Sequence, residues 1–185
     1  MSGQTVSFRG TGFGNFAIVR LDAVGTGVWI TSVSSPDGAT ANSLAVDPVS
    51  KEVYVGGDYS GNGAQLGTGA SALFLTEELY YTGWFAKISA AGVPMFFKAL
   101  TVGPNPADPT ADREVVVYGI AFDTASSSVW VVGYYTPGDF VFAGQTLNPY
   151  NKLDSSVVLM RYGTDGSELF ATNYISEGPN YDGTR

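Results

Sequence analysis

The sequence predicts an all-β fold assembled from repeated four-stranded antiparallel sheets, and three observations lead there. Short runs rich in Val, Ile, Phe, Tyr and Trp recur along the 185 residues, bounded by Gly, Pro, Asp and Ser; this is the pattern of strands and tight turns. No window of a dozen residues carries helical periodicity. The chain also resembles itself at a spacing of roughly 70 residues, the scale on which repeat architectures declare themselves.

Four strand-like runs make up each repeat, A to D. Strand C holds a cation at one position: Phe16–Asp22 around Arg20, Trp84–Ser89 around Lys87, and Val157–Tyr162 around Arg161. A Gly-containing turn follows each (Gly25, Gly92, Gly166), then strand D: Val28–Val33, Met95–Leu100 and Leu169–Ile175. Strand A reads Leu44–Asp47 and Ile120–Asp123, and strand B reads Val53–Gly57 and Val129–Gly133. The A–B links, Pro48–Lys51 and Thr124–Ser128, are hairpin-sized. A further block, Gly-Gln or Gly-Ala-Gln before an apolar residue, occurs at Gly3–Val6, Gly63–Leu66 and Gly144–Leu147. Four short antiparallel strands, stacked by repetition, describe a β-propeller-type blade.

The blocks Leu-Ala-Val-Asp…Val-Tyr-Val-Gly-Gly (44–57) and Phe-Ala-Ile-Val-Arg-Leu-Asp…Gly-Val-Trp (16–29) resemble the bacterial β-propeller repeats of the SBBP type. The likeness covers most of the chain apart from two insertions, and relatives of that type carry many more repeats. It implies a repeat module that is secreted or displayed on a surface, so the expected location is extracellular or at the cell surface. It is almost silent on activity.

The order along the chain is C-D, A-B-C-D, A-B-C-D and a tail. The expected division is a half blade with linker over 1–41, a full blade with two insertions over 42–114, a full blade over 115–177, and a tail over 178–185. Propellers close with about four to eight blades, so about 2.5 blades leave strand edges and apolar flanks uncovered. Three resolutions follow: an excerpt of a longer protein, assembly of several copies, or an open stack capped in another way.

Composition removes many function classes. Seventeen acidic against nine basic residues give a net charge of −8, which argues against nucleic acid or an anionic membrane as partner. There is no cysteine and no histidine, which excludes disulfides, thiolate metal sites, Ser-His-Asp and Cys-His catalysis, and His-ligated zinc. Apolar runs stop at four or five residues, far short of the roughly 20 of a membrane span, so no membrane insertion is expected. Met1–Val6 lacks the basic and apolar regions of a signal peptide.

Alternating strand directions place the A–B and C–D turns at one end of each sheet and the B–C and D–A loops at the other. Both insertions, 67–83 and 101–114, fall at the second end, where long loops on a rigid scaffold carry function. In the first insertion, Leu73 to Tyr81 reads as a short extra strand or turn covering a blade edge. Its Tyr80 and Tyr81, with Trp84, form an aromatic set for a glycan or other surface ligand. Tyr59 and Tyr135 follow strand B at equivalent positions and join that candidate list, although repetition favours a framework role. In the second insertion Asp108 and Asp112, flanked by Asn105 and Glu114, are oxygen donors of the type Ca²⁺ takes. Their spacing is not that of an EF-hand, and solvated turn chemistry is the plainer reading. No other cofactor is indicated.

Arg20, Lys87 and Arg161 are expected to pair with neighbouring acids. Asp47 and Asp123 are expected to accept backbone N–H groups of the A–B turn. Ser35–Thr40 fails as a sialidase Asp box, and Thr11–Gly14 fails as a phosphate loop. The expected function is therefore a non-catalytic structural or interaction module, partnered by other copies of itself or by the remaining blades of a longer protein. A carbohydrate-binding propeller module and a fragment of a propeller hydrolase are the alternatives.

Overall fold

A computed structural model describes residues 14–76, 80–105, 108–148 and 155–174. The Gly3–Val6 block, Glu77–Leu79, Ile175 and the tail lie outside the described residues. The chain opens with β1 (Phe16–Leu21) and β2 (Gly27–Ser34), followed by β3 (Ala39–Val46) and β4 (Val53–Tyr59). Next come two short strands, β5 (Ala64–Leu66) and β6 (Leu73–Leu75), with a single 3₁₀ turn at Gly69–Ser71 between them. Then β7 (Thr82–Ile88), β8 (Pro94–Leu100), β9 (Val115–Asp123) and β10 (Ser128–Tyr135) follow. A short hairpin, β11 (Phe140–Phe142) and β12 (Gln145–Leu147), precedes β13 (Ser156–Gly163) and β14 (Glu168–Tyr174).

The fold is all-β, with three four-stranded antiparallel sheets and one hairpin among the described residues. The second sheet runs β3-β4-β7-β8 and the third β9-β10-β13-β14, each in the expected A-B-C-D order. Even the irregularities recur. Every C–D pair shifts register at the cation, between Arg20/Leu21, Lys87/Ile88 and Arg161/Tyr162. The A–B pairs both bulge near the middle of strand A, leaving Asn42 and Tyr118 without a register partner.

Two expectations need correction. The first sheet does not stop at its C–D pair: β5 adds to the edge of β2, with Val33 opposite Leu66, and β6 pairs with β5. The insertion at 67–83 thus supplies an extra strand, and that strand serves the preceding sheet. The Gln blocks are also not equivalent. Gln65 lies in the first arm of its hairpin and Gln145 in the second. Three-residue strands carry too little pattern to fix their partner, which tertiary packing decides instead.

The sheets are layered, with the second in the middle. Every residue of β4 and β7 is buried, as a strand covered on both faces must be. One core, between the first and second sheets, holds Ile18, Trp29, Val33, Val55, Trp84 and Ile88. The other, between the second and third, holds Tyr54, Phe85, Val117, Met160 and Tyr162. Rings dominate it: Phe85 lies 4.5 Å from Tyr162 and Tyr54 lies 5.7 Å from Phe122.

Candidate functional site

The turns hold themselves in place. Asp47 Oδ1 accepts the Val49 N–H at 2.8 Å and its Oδ2 accepts the Ser50 hydroxyl at 2.6 Å. Asp123 does the same with Ala125 N–H at 3.0 Å and the Ser126 hydroxyl. These bonds, the hydroxyl's first, hold both carboxyls below the usual aspartate value. The two aspartates are turn fasteners, as expected.

The strand C cations do something the sequence does not reveal. Arg20, on the first sheet, donates through Nη1 to the carbonyl of Ala90 at 2.6 Å, in the C–D turn of the second sheet. Lys87, on the second, donates through Nζ to the carbonyl of Thr164 at 2.9 Å, in the C–D turn of the third. Each cation thus reaches the same position of the next sheet's turn. The aromatic opposite it completes the clamp. Trp29 pairs with Arg20 and Phe96 with Lys87. A Cβ on Gly92 would stand 2.6 Å from Trp29 Cγ, and one on Gly166 would stand 2.9 Å from Phe96 Cε1. The glycine of each turn is seated on the preceding sheet's aromatic ring.

Among the described residues the expected pairing of these cations with acids holds only for Lys87, which meets Glu52 Oε2 at 2.7 Å. Arg20 binds the carbonyl instead. Arg161 donates through Nε to the Ser128 hydroxyl at 2.9 Å and lies 5.5 Å from the Trp130 ring centre. At the bulge of strand A a second link joins the second and third sheets. The amide of Asn42 donates to the Val117 carbonyl at 2.9 Å and to buried Asp58 at 3.1 Å, and Ile120 N–H donates to Ser43 Oγ at 3.0 Å.

The two insertions meet at the long-loop end. Tyr81 forms an isolated parallel bridge with Glu114, and the Val115 N–H donates to the Tyr81 carbonyl at 2.9 Å. Tyr80 and Tyr81 are both exposed, their rings edge-on with centres 4.9 Å apart. Beyond them Tyr134 donates to Glu114 Oε2 at 2.7 Å and stacks 5.8 Å from exposed Tyr118. Burial first, then the Glu114 carboxylate, pushes the Tyr134 phenol well above its usual range.

Other members of the aromatic set are not surface groups. Trp84, Tyr59 and Tyr135 are buried. Trp84 packs edge-on to Phe97 and donates to the Asp58 carbonyl at 3.1 Å; no ring face remains for a ligand. That corrects Trp84 as a ligand residue and gives Tyr59 and Tyr135 the framework role. Asp108 closes its own turn, with Oδ1 accepting the Thr110 N–H at 3.0 Å and hydroxyl at 2.7 Å. Asp112 stands exposed beside it. Among the described residues no three acidic side chains cluster as a cation site would need.

The outer face of the third sheet is an exposed apolar surface. Phe170, Tyr174, Val132 and Val157 are exposed there, around Trp130, which meets Phe170 edge-on. The outer face of the first sheet is also apolar, with Val19, Leu21 and Val28 exposed. Beside it an apolar groove of about 280 Å³ runs between β1, Trp29 and the Leu44 and Val46 side chains. In the second sheet the matching space is filled by Tyr54, a strand B residue paired with Lys87. Among the described residues the first sheet has no strand B, and the groove lies where one would stand. Sequence reasoning did not single out Trp130 and Phe170; their alternation with core residues was the available signal.

No helix among the described residues is long and apolar enough to cross a membrane. No protein-family model matches the chain, and no curated protein matches its sequence.

Proposed function

We propose that the chain is a non-catalytic interaction module of β-propeller repeat type, whose sheets act as blades and whose outer faces are seats for further blades. It works by rigid display outside the cell or at a surface: the blades fix the long-loop end, and the flanks mediate assembly. One observation carries the reading. The cation–turn and ring–glycine clamp occurs twice at the same positions, so a single docking rule generates the stack. A fold extended by one rule presents its next seat at its end.

The test is to append a second copy of residues 115–177 after residue 177. A further blade is expected to raise Tm and to reduce binding of an apolar reporter dye. An unchanged Tm with undiminished dye binding would sink the reading. A second reading, glycan binding, has its own observation in the exposed Tyr80–Tyr81 pair, since edge-on rings offer stacking faces to a sugar. A glycan array on the parent and on Tyr80→Ala/Tyr81→Ala decides it; no signal from the parent removes it.

A further inference from the structure

The clamp between sheets has two halves, and the chain carries one unused copy of each. On the third sheet Arg161 stands where Arg20 and Lys87 stand, one position before the register shift, and Phe170 is its strand D partner. Phe170 is exposed, whereas Trp29 is buried under Gly92. On the first sheet the C–D turn around Gly25 matches the turns of Gly92 and Gly166. It has the same backbone conformation, with φ near +84° at Gly25 and Gly92, and the same internal bond from the glycine N–H three residues back. Among the described residues nothing lies within 4 Å of a Cβ placed on Gly25. Among the described residues the donor half is therefore open at one end of the stack and the acceptor half at the other.

From these two open halves we infer that the outer face of the third sheet docks on the outer face of the first sheet of a second copy of this chain. This rests on the reading of the sheets as stacking blades and names the partner. Arg161 donates to the Ala23 carbonyl of the second copy, as Arg20 does to Ala90 and Lys87 to Thr164. Phe170 receives Gly25. The surrounding surfaces match in chemistry, with Phe170, Tyr174 and Val132 meeting Val19, Leu21 and Val28. The contact is head-to-tail, so each copy uses different surfaces toward its two neighbours. Two copies place six sheets in series, within the range of about four to eight at which propellers close.

The chain has no cysteine, so introduced thiols report without background. Val24 and Phe170 are both exposed, and the inference brings Val24 of one copy beside Phe170 of the next. Full-length Val24→Cys and Phe170→Cys chains, mixed and treated with a short thiol-to-thiol cross-linker, are expected to give a mixed dimer. Each alone is expected to give none. In parallel, sedimentation of the parent is expected to show mass rising with concentration, lost in Arg161→Glu and kept in Arg161→Lys. Circular dichroism checks that each variant is folded. Monomer mass at every concentration with no mixed dimer overturns the inference, and so does association that Arg161→Glu leaves intact. If the appended repeat raises Tm while free copies stay apart, the blade reading stands and only this inference falls.

Discussion

Gly92 offers a clean measure of what docking one sheet on another contributes, because Gly25 is its internal control. Both sit in C–D turns at φ +84°. Alanine in that left-handed region costs about 1–2 kcal/mol wherever it occurs, and that cost is common to the two sites. The surroundings differ. A Cβ at position 92 would lie 2.6 Å from Trp29 Cγ and 2.8 Å from its Cδ2, whereas one at position 25 meets nothing within 4 Å. The indole cannot swing away, since its Nε1 donates to the Ala90 carbonyl at 3.0 Å and its ring is buried. Forcing a methyl into such a contact costs about 1–3 kcal/mol. Gly92→Ala is therefore expected to be less stable than Gly25→Ala by that amount, measured in urea on dilute monomer. Thermal melts should separate the pair by about 2–4 °C for each kcal/mol. Equal losses in the two variants would refute the clamp as a close-packed contact.

Lys87→Met keeps the aliphatic stem but removes the bonds to Glu52 and Thr164, so a loss of about 1–3 kcal/mol is expected, with Arg161→Met costing less; urea midpoints compare them. Trp84→Ala should cost about 3–5 kcal/mol, or abolish folding, whereas Tyr80→Ala should stay within about 0.5 kcal/mol, as thermal melts would show. The carboxyls of Asp47, Asp108, Asp123 and Asp165 are lowered from 3.8, first by their Ser or Thr hydroxyl bonds. Their stabilisation is therefore fully present above 3.8 and lost as pH falls below it through the lowered folded values; Asp47→Asn/Asp123→Asn should flatten the acid limb of stability against pH. The phenols of Tyr54, Tyr134, Tyr135 and Tyr162 are raised above 10.0, chiefly by burial. Absorbance near 295 nm should show them ionising above the usual tyrosine range, and the stability they contribute is present below 10.0 and lost as pH rises from there through their raised folded values.

The A-B-C-D order was legible because each long strand is a β-rich run closed by its own turn. Val53–Gly57 could be read as strand B without knowing what covers it. Asp47 and Asp123 were legible for the same reason: an aspartate followed by a serine three residues on closes its turn locally. What escaped was every feature decided between sheets. Nothing near Ala64–Leu66 says that it extends β2 and not its own sheet. Arg20 looked like an ion-pair residue because its carbonyl acceptor, 70 positions away, leaves no mark in the sequence, and Arg161 did because its acceptor is a serine hydroxyl 33 positions away. Trp84, Tyr59 and Tyr80 are all aromatic and near the same loops, but only tertiary packing separates the two core rings from the exposed one. The long-loop end was placed correctly by strand alternation, yet the bridge between Tyr81 and Glu114 joins two insertions that no local pattern connects.

The double burial of β4 and β7 bears on how the molecule comes apart. The middle sheet draws its stability from both neighbours, while the outer sheets each have one, so the chain behaves as a short one-dimensional lattice with coupled sites. Opening should begin at its ends and travel inward. Amide protons of β4 and β7 would then exchange slowest, and those of β1 and β14 fastest, giving a gradient of protection along the stack. A neighbour added at either end lengthens the lattice and moves the fraying edge outward. Assembly and resistance to unfolding would in that case be one property, set by how many sheets stand in line.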